Sequence, residues 1–310
     1  MPKRVIAILG CTASGKGALA CALASELGGE IVSVDSMKVY RGMDIGTAKP
    51  TAEQRAAVPH HLIDVADPWE SFSAARFVEL ADGAIAEIHR RNRPAIAVGG
   101  TVLYFKCFYA GMFAGPSADP ALRAEIRARA EREGLDTLHA ELARVDPEAA
   151  TRIHRNDLRR IERALEVYHL TGRPISELQQ QWNGESLRRP EWDWRLIGLR
   201  RDKRAAARRI NERVRRMLAA GLVDEARGIW SDARGVSDQA RRAVGYAELF
   251  DHFAGKMNLE EAVERIKISS RRLAKQQRTW LKRLGDVNWI DLAEHDNVAS
   301  VLSRALPLSL

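Results

Sequence analysis

The residues best suited to chemistry lie near the start of the chain, in "GCTASGKG", Gly10 to Gly17. Gly10, four further residues, then Gly15 and Lys16 is the spacing of a phosphate-binding loop. Set between a strand and a helix, such a loop turns its backbone N–H groups inward around a phosphate. The helix N-terminus adds positive potential, and Lys16 adds a full charge. The candidate cradle comprises Gly10, Thr12, Ala13, Ser14, Gly15, Lys16 and Gly17. Gly17 stands where these loops normally place a serine or threonine hydroxyl for magnesium. The later apolar run "PAIAVGG" ends in glycines, not in the aspartate that usually completes such a metal site. A nucleotide hydrolase or kinase lacking both groups would be oddly built. A diphosphate ester that holds magnesium mainly on its own oxygens fits better, and no protein metal ligand is assigned.

Two other positions should face the same crevice. Asp35 follows "EIVSV" at the carboxyl end of a strand, where open α/β sheets place their sites. A carboxylate there can serve as a general base or a metal ligand, or it can simply cap the "DS" turn. Thr101, after "AVGG", can donate to a phosphate oxygen and can also cap a helix. His60 and His61 look like a metal pair. Neighbouring strand residues point to opposite faces, however, so a structural role is expected. Arg209 and Arg213 are four apart on one helix face, as a guanidinium clamp on a diphosphate requires. "RRLAKQQRTWLKR" mixes basic residues with Gln277 and Trp280, which suits either nucleic acid or core packing.

The elements that must position these residues read as strand, loop, helix, strand, helix, strand. "RVIAILG" is a buried strand, followed by a helix from Lys16 to Leu27 that stops at Gly28 and Gly29. "EIVSVD" and "HHLIDV" are further strands. Ser73 caps a helix to about Arg91, and "PAIAVGG" returns to the sheet. This alternation predicts an α/β fold with a parallel sheet and helices on both faces. The character changes near Gly115. Helices are expected after Asp119, after Asn156 and over "ISELQQQW", an all-helical insertion across residues 115–190. "DWRLIGLR" then resumes the sheet. Basic helices follow over 202–220 and 259–284, and "VNWIDL" makes a last strand. The expected domains are therefore 1–114 with 191–310, and 115–190.

The chain has 310 residues, 45% of them hydrophobic, and carries a net charge of +8. No apolar run is long enough to span a membrane. Cys11, Cys21 and Cys107 show no metal spacing, so reduced thiols in a cytoplasmic protein are expected. Residues 1–110 carry 12 basic and 11 acidic side chains, whereas the rest carry 37 and 30. A near-neutral first part and a basic remainder suit a small-molecule site beside a polyanion surface. Arginine-rich helices reflecting a GC-rich genome would give the same count.

Taken in order, "GCTASGKG", "DSMKVYRGMDIGTAKP", "PHHLIDV", "GGTVLY", "SADPALR", "NDLRRIERALEV", "RINERVRRMLAAGLVDE", "RRAVGYAEL" and "RRLAKQQRTWL" resemble the tRNA dimethylallyltransferase family, collinearly over nearly the whole chain. The resemblance implies a P-loop NTPase-like fold without phosphoryl transfer. It implies dimethylallyl diphosphate as donor, magnesium as cofactor, and a tRNA anticodon stem-loop as partner. The product implied is N6-dimethylallyladenosine just 3′ of the anticodon, in tRNAs reading codons that begin with U. The target base would be extruded into a channel, with the helical insertion on the anticodon stem. A monomer without membrane attachment is expected. By the same resemblance, Asp35 is the base on the adenine amine and Thr101 contacts the bridging diphosphate oxygen. Lys16 and the loop neutralise the leaving group, with Arg209 and Arg213 nearby. The tRNA contacts implied are Asp35, Ser36, Met37 and Lys38; Arg123; Arg159, Arg160, Ile161, Glu162 and Arg163; and Arg242, Ala243, Val244, Gly245, Tyr246 and Ala247.

The chain departs from the family pattern at Gly17, at Lys38 in place of glutamine, at Val102 in place of a small residue, and at Gln276 in place of arginine. None of these removes Asp35, Lys16 or Thr101. The rival readings are a P-loop nucleoside or nucleotide kinase, and a non-catalytic RNA-binding protein on the same scaffold.

Overall fold

In the computed structural model, which describes residues 3–113, 115–182 and 188–310, six strands form one all-parallel sheet. They are β1 (Arg4–Gly10), β2 (Glu30–Val34), β3 (His60–His61), β4 (Ala95–Gly99), β5 (Asp193–Arg201) and β6 (Asn288–Leu292), in the order β3-β2-β4-β1-β5-β6. The central strand reads as an unbroken apolar run because both of its faces are covered. Fourteen helices are described: α1 (Lys16–Leu27), α2 (Ala52–Ala57), α3 (Ala74–Arg90), α4 (Val102–Ala110), α5 (Pro120–Glu133), α6 (Leu135–Val145), α7 (Pro147–Arg152), α8 (Leu158–Thr171), α9 (Ile175–Leu178), α10 (Lys203–Ala219), α11 (Leu222–Trp230), α12 (Tyr246–Phe253), α13 (Leu259–Leu281) and α14 (Val298–Ser309).

The chain divides into two compact units, one of residues 1–108 with 190–310 and one of residues 109–189. The helical unit thus takes in Tyr109–Phe113 ahead of residue 115. In the first unit, Ile6, Ile8, Ile31, Ile96 and Ile197 line one sheet face and pack on Leu19 and Leu23 of α1 and on Val301 and Ala305 of α14. On α4, Phe105 and Phe108 stand edge-on to Trp194, and Tyr104 stacks on Phe77 at 4.5 Å.

The helix following β1 and the helix following β4 therefore leave from adjacent strand ends by different routes. Such a divergence opens a crevice at the carboxyl ends of the strands. Gly99 closes its floor, because a Cβ there would collide with the backbone of Val34.

The helical unit has its own core of Ile126, Leu138, Leu142, Ile161 and Leu165. Asp119 caps α5 by accepting from Ala121 N and Leu122 N, with Pro120 in the first turn. The cap of α8 is Asp157, not Asn156: its carboxylate accepts from Arg160 N at 3.2 Å. "ISELQQQW" breaks into α9 and a 3-10 turn, Gln180–Trp182.

Other boundaries also moved for local reasons. "HHLIDV" pairs only through His60 and His61, since Leu62 and Asp64 adopt left-handed φ of 61° and 57°. α13 ends at Leu281, beyond which Arg283 N and Leu284 N bond three residues back and tighten the last turn.

The loop after β2 is held by charge. Glu225 accepts from Asp44 N, Ile45 N and Gly46 N at 2.9, 2.8 and 3.1 Å, and from the Tyr246 hydroxyl. Lys49 donates to Tyr40 O and to the carboxylates of Asp44 and Asp64. Removing Glu225 leaves three backbone donors and a buried phenol without their acceptor. Glu225→Ala should lower unfolding stability by about 2–4 kcal/mol, readable as a shifted urea midpoint. A midpoint equal to wild type would show that this carboxylate does not hold the loop.

Candidate active site

The Gly10–Gly17 loop sits between β1 and α1 and folds as its spacing predicts. A side chain at Gly10 would lie 2.7 Å from Ser14 Oγ, so the loop can close only over a glycine. Ala13 and Gly15 take left-handed φ of 61° and 97° and turn the backbone over the start of α1. Not every cradle group is available to a ligand. Ser14 N donates to Cys11 O at 3.2 Å, and the Ser14 hydroxyl is buried with no partner among the described residues. Thr12 N donates to Gln277 Oε1 at 2.7 Å. Lys16 Nζ lies 3.4 Å from Cys11 O. Gly17 is exposed, and a side chain added there would meet nothing within 4 Å.

Asp35 and Thr101 come from the ends of neighbouring strands and meet through Ser36. Ser36 N donates to Thr101 Oγ1 at 2.8 Å, and that hydroxyl donates to Ser36 Oγ at 3.1 Å. One oxygen of Asp35 accepts from Met37 N and Lys38 N at 2.9 and 3.3 Å. This turn chemistry fixes the carboxylate, so the capping role and a place in the site hold together.

Three cations share the field of Asp35. Burial lowers the pKa of the Lys16 amine to about 8, with Asp35 opposing the shift and Arg213 and Lys38 adding to it. Burial likewise lowers Lys38 and Arg213, each again opposed by Asp35. Arg209 is exposed and donates to Ala13 O at 3.3 Å. The two arginines of α10 therefore reach different parts of the site, one the loop and the other the carboxylate.

Gly17 brings no hydroxyl to a metal at the start of α1. Among the described residues no group of three or more His, Cys, Asp or Glu side chains could hold one. Gly17 and Gly99 bring no ligand. His61 is paired with Glu30, and His60 bonds Val58 O, so both histidines are structural.

A mostly apolar pocket lies against Gly10 and Thr101, lined by Leu9, Val34, Val102, Phe105 and Trp280. Trp280, half-buried, stands edge-on to Phe105 and lines the pocket with it. Gln277, named above only within a stretch suited to nucleic acid or core packing, reaches the site itself. It is 5% exposed, and its Nε2 donates to Gly100 O at 2.8 Å. Its signal was the α13 pattern, since Ala274, Gln277 and Leu281 share the buried face.

The remaining candidate positions divide by exposure. Arg242 is exposed and Val244 partly so. Ala243, Gly245 and Tyr246 are buried, and Ala247 is half-buried at the start of α12. In the helical unit Arg159 and Arg160 are exposed, whereas Ile161 and Glu162 are buried. Arg123 and Arg163 both bind the fully buried Glu166, Arg123 through two bonds of 2.8 and 2.9 Å. Ile161, Glu162, Ala243 and Tyr246 therefore shape the surface from beneath and do not offer their side chains to a partner.

The family model for IPP transferase matches residues 38–284. A tRNA dimethylallyltransferase from Geobacter metallireducens is 46% identical over 302 residues, covering 96% of each chain. One from Methylococcus capsulatus is 50% identical over 293 residues, covering 93% of this chain and 92% of its own. The crystal structure of a tRNA isopentenylpyrophosphate transferase from Bacillus halodurans has a TM-score of 0.70 at 40% identity, over 99% of this chain and 97% of that one. A eukaryotic dimethylallyltransferase captured acting on tRNA has a TM-score of 0.77 at 28% identity, over 98% of this chain and 78% of that one.

The depressed pKa of Lys16 has two readable signs. An unfolded lysine keeps its proton to about 10.5. Between pH 8 and 10.5 the unfolded state thus binds more protons at this site, and the site's contribution to stability rises with pH. Anion binding moves the other way. The advantage of wild type over Lys16→Met in binding inorganic pyrophosphate should shrink by roughly tenfold per pH unit above about 8. Isothermal titration from pH 7 to 9.5 measures it, and a constant ratio would mean the amine keeps its ordinary pKa.

Proposed function

The chain belongs to the IPP transferase family and is a tRNA prenyltransferase, and from that premise we propose how its own residues divide the reaction. The donor is dimethylallyl diphosphate, with its diphosphate in the Gly10–Gly17 loop and its five-carbon group against the apolar pocket that Val102 lines. The acceptor is N6 of the adenosine just 3′ of the anticodon, in tRNAs that read codons beginning with U. A new bond forms from N6 to C1 of the donor, the C1–O bond breaks, diphosphate leaves, and one proton departs from N6.

Each step has a residue suited to it. An exocyclic amine is a poor nucleophile because its lone pair feeds the ring. Asp35 accepts a hydrogen bond from it and takes its proton as the proton becomes acidic. Negative charge grows on the bridging oxygen as the C1–O bond breaks. Thr101 donates there once its hydroxyl turns from Ser36 Oγ, while Lys16, Arg209 and Arg213 neutralise the departing diphosphate. The tie from Ser36 N to Thr101 Oγ1 carries this reading, because it sets the base and the leaving-group donor side by side. The kinase alternative is not favoured, since neither Gly17 nor Gly99 serves a γ-phosphate and its metal.

Magnesium, when bound with the donor, would help neutralise the diphosphate, and Gly17 would offer it no hydroxyl. The exposed arginines, Arg159, Arg160 and Arg242 among them, meet the tRNA backbone, where binding should weaken with salt. The protein works as a monomer in the cytoplasm. Among the described residues no helix is long and apolar enough to cross a membrane.

Purified protein incubated with magnesium, labelled dimethylallyl diphosphate and unmodified tRNA should move label to N6 of that adenosine. Asp35→Ala should slow transfer by about 10²–10⁴-fold with little change in tRNA affinity. Transfer at the wild-type rate by this variant would remove Asp35 from its role. Gly17→Thr should fold normally, because its side chain meets open space, and should lower the magnesium concentration giving half-maximal rate. An unchanged magnesium curve would show that the missing hydroxyl has no bearing on the metal.

A further inference from the structure

We propose that Gln277 is a positioning residue that sets the distance between the diphosphate cradle and Thr101. Its amide spans the crevice at the strand ends. Oε1 accepts from Thr12 N at 2.7 Å in the loop after β1, and Nε2 donates to Gly100 O at 2.8 Å in the turn after β4. Gly100 immediately precedes Thr101. A side chain on Gly100 would come within 2.5 Å of Nε2 and 3.7 Å of Lys16 Nζ, so the amide, the lysine and the turn occupy one small volume.

Both ends of the amide are used, which makes its orientation unique. Gln277 is 5% exposed, and a buried amide in a helix face otherwise made of Ala274 and Leu281 would be costly without both bonds. Reversing the amide would set Nε2 against Thr12 N and Oε1 against Gly100 O, two like contacts. Glutamate cannot copy this when ionised, having no proton for Gly100 O. Methionine copies the shape and neither bond. Protonated glutamate copies both bonds, its hydroxyl donating to Gly100 O and its carbonyl accepting from Thr12 N.

The inference rests on the transfer reaction given above. The cradle binds the diphosphate, and Thr101 must meet the oxygen that joins it to carbon. A brace between their two loops therefore governs alignment more than affinity. Thr12 N is spent on the brace, so diphosphate binding falls to the rest of the loop and to Lys16.

The test compares wild type, Gln277→Met and Gln277→Glu, with circular dichroism melts to confirm folding. Gln277→Met should bind inorganic pyrophosphate within about threefold of wild type and keep its KM for tRNA. Its kcat should fall about 100-fold, the loss expected for a misplacement near 1 Å. Gln277→Glu should be similarly slow at pH 8 and should recover relative to wild type as pH falls to 6. A residue that only stabilises the fold would lower the melting temperature without that recovery. A kcat for Gln277→Met within threefold of wild type, or a Gln277→Glu ratio independent of pH, would overturn the inference. If Gln277→Met fails to fold, the pH ratio of Gln277→Glu decides alone. Should wild type itself transfer no label, the reaction assigned above fails; should wild type transfer label while both variants match it, only the brace fails.

Discussion

Like charges held close together govern this site. Lys16, Lys38 and Arg213 gather around Asp35, and burial works against the charged form of all three cations. One carboxylate stands among three partly buried cations, so the cluster carries an excess of positive charge. Much of the first unit serves to keep these groups in place. β1 and α1 fix Lys16, the Asx turn fixes Asp35, and α10 carries Arg213. The loop behind Lys38 is held down by Glu225 and Lys49. Such an excess favours an anionic ligand over a neutral one.

Lys38 and Gly17 are complementary departures. Gly17 takes away a potential magnesium ligand, and Lys38 brings an amine close to Asp35 where a neutral glutamine would stand.

The sequence made the sheet legible because its strands are short, apolar and stopped by glycine, and the loop legible because its spacing is set by backbone closure. Asp35 and Thr101 could be placed from strand ends alone. Other features rest on tertiary contacts with no local signature. The side chains at 161 and 246 look like neighbours of binding residues but are buried, since the helix period turns Ile161 inward and the ring of Tyr246 packs over Gly46. Gln276 drew attention as a departure, yet it is exposed. Its neighbour Gln277, one step around α13, is the one that enters the site. A buried amide bridging positions 12 and 100 cannot be found by spacing when its partners lie 265 and 177 residues away.

The bond from Ser36 N to Thr101 has a consequence for timing. It pins the threonine oxygen from one side and leaves the hydrogen free to turn. At rest that hydrogen points to Ser36 Oγ. Redirecting it needs rotation about a single bond, with no loop displaced and no heavy atom moved. A donor of that kind works as a rotor: in the role proposed for Thr101 it would follow charge building on a departing oxygen, on the picosecond-to-nanosecond scale of side-chain rotation, and return once the product is gone.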